Sequence, residues 1–262
     1  MNAILGTYPF GSPLRAVVQE DRSPKDVFVL GVYASAVHAA WSDETGRMLV
    51  RALAVASEPE IFWDGRGAEN IIAGLDVPPG AGSLRAAGQQ LNGPSGRSLE
   101  ENVLRPLGLT RARTWLCDLV PHTCLNKGQE SAIEREYEPK RTALGLPPVD
   151  IPVVPKAFSD APRRTRVLDE LRESRSKILV LLGDEPVRHF LAHFEPQWRN
   201  LRAFGGDDDS YGRLRRVNLD GHECQVLPLV HVRQAAGLGR HSPAWRALHG
   251  RWAENIATDL LR

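Results

Sequence analysis

The chain has 262 residues, enough for one α/β domain around a single core, and its 42% hydrophobic and 25% charged residues are ordinary for a globular protein. Thirty-three Lys and Arg stand against 32 Asp and Glu, so no strong global field draws the molecule onto nucleic acid, and any basic face must be local. Three Cys make no disulfide framework and no apolar run reaches the ~18–20 residues of a membrane helix, so a cytoplasmic, monomeric protein away from membranes is expected.

In chain order, DVFVLGV (26–32) is the first of four short apolar runs that read as buried parallel strands. A helix is expected over 46–57, followed by a long polar loop over about 58–93. GPSGRS (93–98) is a Gly-rich turn opening a helix over 95–107, with Leu99, Val103, Leu104 and Leu107 at helical spacing. The second strand, TWLCDLV (114–120), is apolar but for its first residue and Asp118, which reads as a carboxylate delivered to the strand's end. A second long loop, rich in Pro and charge, covers 121–162. A helix over 163–174 precedes the third strand, KILVLLGD (177–184), and Pro186 sits in the first turn of a helix over 186–193. RLRRVNLDGHECQV (213–226) reads as a hairpin turning at Asp220-Gly221 and feeding the fourth strand, CQVLPLVH (224–231). A helix over 243–260 closes the chain.

This pattern predicts a single domain over residues 1–262, with a mainly parallel sheet between helix layers. Ligands in such sheets gather beyond the carboxyl ends of the strands, here Gly31–His38, Asp118–His122, Gly183–Asp184 and His231–Gln234. GVYASA lacks G-x-G-x-x-G, and GPSGRS lacks the Walker spacing, although its amides could hold one phosphate. Cys117, His122 and Cys124 match no zinc-site spacing, so no metal is expected. Ser35, Asp118 and His231 occur in the order of an α/β-hydrolase triad, and a serine hydrolase is one alternative. The nucleophile elbow is missing around Ser35, however, and the Asp follows the wrong strand.

Four segments together resemble the uracil-DNA glycosylase superfamily: VFVLGVYASAVHAAW (27–41), NGPSGRSLEENVLRPLGLTRARTWLCDLVPHTCLN (92–126), SKILVLLGDEPVRHFL (176–191) and VLPLVHVRQAAGLGRHSPAW (226–245). The resemblance implies a three-layer α/β/α sandwich around a central, mainly parallel four-stranded sheet. It also implies cofactor-free hydrolysis of the bond between a flipped-out base and deoxyribose, leaving an abasic site. His231 falls at the motif His that donates to the base O2, and a plain strand-end cap is its bland reading. Gly31, Tyr33, Ala34 and Ser35 would line the base pocket, with Phe62, Trp63 or Tyr33 as stacking platform. Ser95, Arg97, Arg233, Gln234, Leu238 and Arg240 are the candidate DNA contacts and wedge; an ordinary solvated loop explains any one of the last four equally well. The first motif departs from the family where a water-positioning acid is usual. Val32 and Tyr33 stand there, and His38, Asp43, Glu44 or Asp64 could substitute.

Asp118 falls where uracil-type enzymes carry Asn. An ionised Asp only accepts, which suits the N4 amino group of cytosine and opposes the O4 of uracil; a protonated Asp could still serve uracil. Excision of plain cytosine would destroy the host genome, so a C5 discriminator is needed, and the small Ala34, Ser35 and Ala36 could leave room for one. The expected partner is therefore DNA carrying a phage-type hydroxymethylated or glucosylated cytosine, and the expected role is antiviral. Uracil repair and a non-catalytic modified-base-binding module remain the alternatives.

Overall fold

The computed structural model describes residues 3–238 and 242–261. Two compact units emerge: one of Met1–Val17, Tyr33–Gly96 and Pro121–Lys156, the other of Val18–Val32, Arg97–Val120 and Ala157–Arg262.

The second unit holds the central sheet. Its five strands lie in the order Thr114–Val120, Val27–Tyr33, Ile178–Leu182, His222–Leu229, Arg215–Leu219. Ile178–Leu182 runs parallel to both of its neighbours, and Arg215–Leu219 closes one edge antiparallel. The fifth strand corrects the four-stranded expectation. It is the first arm of the 213–226 hairpin, and it pairs because Asp220 (φ 51°) and Gly221 (φ 79°) both adopt the left-handed conformation that a two-residue Asp-Gly turn requires.

One face of this sheet presents Phe28, Leu30, Trp115, Cys117, Leu119 and Leu181 to a core shared with Val167, Leu168 and Leu171 of the Ala161–Ser174 helix. That helix starts where the Asp160 side chain accepts from the Arg163 N–H at 2.8 Å, and it stops at Arg175, which turns left-handed at φ 56°. Side chains alternate along a strand, so Leu116 and Asp118 point to the opposite face, as do Val29 and Gly31.

The first unit carries a three-stranded antiparallel sheet in the order Met48–Ser57, Ala36–Ser42, Ser83–Ala86, and a two-stranded ribbon of Ile4–Thr7 with Pro13–Arg15. Its core centres on an edge-to-face cluster in which the Phe10 ring lies 5.5 Å from both Trp41 and Tyr137. The segment 46–57, expected as a helix, is instead the Met48–Ser57 strand. Short apolar runs such as LVRALAVA suit either periodicity, and pairing along Ala36–Ser42 outweighs the helix propensity of its alanines. Neither long loop is structureless. Ala68–Ala73 is helical and Ser83–Ala86 extended in the first. In the second, Asn126 accepts from the N–H groups of Gly128 and Gln129 and caps a helical stretch running from Lys127 to Arg141.

The Gly-rich turn at 93–98 does open a helix, Pro94–Leu99. Glycine at 96 is a packing requirement, because a Cβ there would lie 2.1 Å from the Phe62 carbonyl oxygen and 2.3 Å from that of Trp63. Both obstacles are backbone and cannot rotate away. Gly96→Ala is therefore expected to cost about 3 kcal/mol or more, read as a lower urea midpoint; an unchanged midpoint would show that the 62–63 segment yields freely.

Candidate functional site

The strand order of the second unit creates one special place. From the strand Val27–Tyr33 the chain goes to Thr114–Val120 on one side, then crosses to Ile178–Leu182 on the other. The connections thus diverge between Val27–Tyr33 and Ile178–Leu182, the kind of point beyond whose carboxyl ends open α/β sheets bind their ligands. Gly183 and His231 follow the ends of their strands, and Gly31 and Asp118 lie two residues inside the ends of theirs.

Gly183 ends the third strand at φ 92°, a conformation that side chains rarely adopt, and donates its N–H to the Leu229 carbonyl at 2.8 Å. A Cβ on Gly183 would stand 3.1 Å from the Cβ of His231. Glycine thus lets the fourth strand bring His231 down beside the end of the third.

His231 lies two residues past its strand and caps the short Val232–Ala235 helix, its Nδ1 accepting the Arg233 N–H at 3.3 Å. That bond fixes the tautomer: Nδ1 is an acceptor, so the single proton of the neutral ring sits on Nε2. Burial, and then the nearby Arg233 charge, push the imidazole pKa down to about 4. At neutral pH His231 is an uncharged donor whose Nε2 has no partner among the described residues.

Asp118 is the third-last residue of its strand, not its terminus, and is 4% exposed. No group among the described residues donates to its carboxyl oxygens. Burial, opposed in part by Arg163, raises its pKa to about 7. Arg163 instead grips the backbone, donating to the Asp118 carbonyl at 2.5 Å and the Leu119 carbonyl at 2.9 Å. Its guanidinium lies 3.5 Å from Glu170, which also accepts from the Trp115 indole N–H at 3.3 Å. This network, on the helix-covered side, pins the strand end while the Asp118 carboxyl points to the other face. Arg163, Tyr211 and His249 escape sequence reasoning, because nothing local marks which backbone groups they hold.

The remaining candidates fall into place as follows. Gly31 is inside a strand, not at its turn, and the turn at Ala34–Ser35 leads to the Ala36–Ser42 strand and not to a helix. Tyr33, Ala34, Ser35, Phe62 and Ser95 all belong to the first unit. There the Ser35 N–H donates to buried Glu58 at 3.0 Å, and the Ser35 carbonyl accepts from Thr123 at 2.6 Å. Glu58 is a buried carboxylate that the sequence does not single out. Phe62 is buried in the left-handed conformation, at φ 54°. Of the proposed water-activating groups, Asp43 and Asp64 hold Arg47 and Arg66 in local turns, and Glu44 is exposed. Arg97 is half-buried in the Pro94–Leu99 helix. Past His231, Arg233 is exposed, Gln234 half-buried and Leu238 exposed after a left-handed Gly237, whereas Arg240 lies outside the described residues.

No group of three or more His, Cys, Asp or Glu placed to hold a metal ion occurs among the described residues, and no helix among them is long and apolar enough to cross a membrane. No protein-family model matches the chain, and no curated protein matches it. The arrangement itself offers a fixed neutral donor and a buried carboxyl able to donate or accept, on one edge of a parallel sheet.

Proposed function

We propose that the protein is a monofunctional DNA glycosylase of the uracil-DNA glycosylase type, acting on a flipped-out, C5-modified cytosine. The observation that most supports this reading is the presence, on one carboxyl edge, of an imidazole with its proton held on Nε2 and a buried carboxyl to which no group among the described residues donates. Breaking the N-glycosidic bond leaves negative charge on the departing base. A preorganised neutral donor meets that charge without first losing water, and His231 takes this role toward the base O2. Asp118 faces the base edge and accepts from the N4 amino group when ionised. A bound base supplies this carboxyl with the hydrogen-bond partner that the described residues do not give it. Selectivity for a C5 substituent enters this reading because excision of plain cytosine would destroy the host genome. The exposed Arg233 and Leu238 suit a loop that contacts phosphate and wedges into a duplex. The cell context of this reading is a cytoplasmic monomer that strips modified bases from invading phage DNA.

A uracil-releasing repair enzyme is the second reading, and the Asp118 pKa near 7 favours it, because a protonated carboxyl donates to O4. One assay separates the readings: abasic-site formation on duplexes carrying uracil, cytosine, hydroxymethylcytosine or glucosylated hydroxymethylcytosine. Release of a modified cytosine and not of cytosine is expected. Uracil release alone would replace the first reading by the second. Tight binding with no abasic product would make the chain a binding module, and neither binding nor release would end all three.

A further inference from the structure

Gly183 leaves the room that His231 occupies, and a fully buried hydrogen-bonded group meets the backbone just before His231. The fourth strand loses its antiparallel neighbour after Val226, which pairs with Arg215, and its parallel neighbour after Leu229, which pairs with Leu182. The next backbone N–H, that of Val230, is buried where no strand accepts it. It donates instead to the Tyr211 hydroxyl at 3.0 Å. That hydroxyl has one proton, and the His249 Nδ1 lies 2.8 Å away. The other His249 nitrogen, Nε2, lies 2.6 Å from the Asn102 carbonyl oxygen, which can only accept.

The roles along this chain are therefore fixed. Asn102 takes the Nε2 proton, which leaves Nδ1 an acceptor for Tyr211, whose oxygen is then turned to accept from Val230. Tyr211 and His249 are each 2% exposed. His249 stands on the long Ser242–Asn255 helix and Asn102 on the Glu100–Leu104 turn, so two separate elements converge on the residue that precedes His231. An apolar pair of similar size would fill this space without a direction. The hydroxyl–imidazole pair instead sets where the backbone ends before it turns into the His231 cap.

We propose that Tyr211 and His249 are positioning residues, which hold the Val230–His231 backbone so that the His231 Nε2–H meets the leaving base. This rests on the glycosylase reading for its chemical consequence, but not for its structural one. Two measurements on Tyr211→Phe, His249→Leu and His249→Gln test it. The first is the His231 tautomer from imidazole nitrogen NMR of the free protein. The second is single-turnover base release at saturating duplex, with the duplex Kd measured alongside.

In Tyr211→Phe and His249→Leu the single Nε2–H form of His231 is expected to give way to a mixture. The release rate is expected to fall about tenfold or more at an unchanged Kd. His249→Gln carries both an acceptor and a donor and is expected to keep most of each. If Tyr211→Phe does not fold, His249→Leu carries the test. An unaltered His231 tautomer in either folded variant would overturn the proposal. If wild-type protein releases no base, the glycosylase reading falls, while the NMR result still decides whether the relay positions His231.

Discussion

Replacing His231 by Leu is expected to slow single-turnover base release by about 100- to 1,000-fold, the usual loss when one preorganised donor is removed from a developing anion. The duplex Kd should barely move, because the donor matters most once charge has left the sugar. The pH profile carries further information. The pKa of His231 lies near 4, so the neutral, donating form is present throughout the range above it. Release is then expected to show no limb near 6.5 from this residue, whose own contribution is lost only as the pH drops toward 4. A rate that falls as the pH rises through 6.5, and still does so in Asp118→Asn, would mean that a charged imidazole is the working form, contrary to the tautomer that the Arg233 N–H assigns. A His231→Leu variant with undiminished rate would remove His231 from the chemistry.

Asp118→Asn is expected to make the protein more stable, by about 2–4 kcal/mol at pH 8. The folded-state pKa is near 7 against an ordinary 3.8, so between these values the folded chain holds a proton that the unfolded chain has released. Stability therefore falls as the pH rises from about 4 to about 7, and the full loss is present above 7. Asn has no proton to lose and should abolish that slope. His231 contributes the opposite slope, stability rising from about pH 4 to 6.5, because its folded pKa is lowered; comparing Asp118→Asn with wild type cancels it. Urea unfolding at pH 5 and pH 8 reads the effect, and parallel curves for the two proteins would show that Asp118 is solvated in the folded state. The same substitution bears on base choice. Wild type should favour modified cytosine over uracil more strongly above pH 7, where an ionised Asp118 opposes O4. The Asn variant should shift toward uracil with no such dependence, since its amide both donates and accepts.

Why some of this architecture is legible in the residues and some is not follows from the range of the forces involved. The strand Thr114–Val120 and the helix Ala161–Ser174 declare themselves through local periodicity and capping, and the Asp220-Gly221 turn through its φ preferences. These depend on neighbours a few residues away. Met48–Ser57 does not, because a short apolar run rich in Ala becomes a strand only when Ala36–Ser42 is there to pair with it. The Lys127–Arg141 stretch hides under its Pro and charge, although the Asn126 cap is a local sign of it.

The candidate site divides along the same line. The sequence by itself determined which chemical groups reach the strand ends, a carboxyl at 118 and an imidazole at 231, and so which kinds of proton traffic are open to this protein. Only the tertiary structure decided what those groups are. Arg163 donates to the backbone of the second strand and leaves the Asp118 carboxyl without a donor among the described residues; the Arg233 amide takes Nδ1 and leaves His231 a neutral Nε2 donor. The protonation states are set by burial, which arises only when distant segments pack together, whereas the His231 tautomer is set by a backbone amide two residues further on.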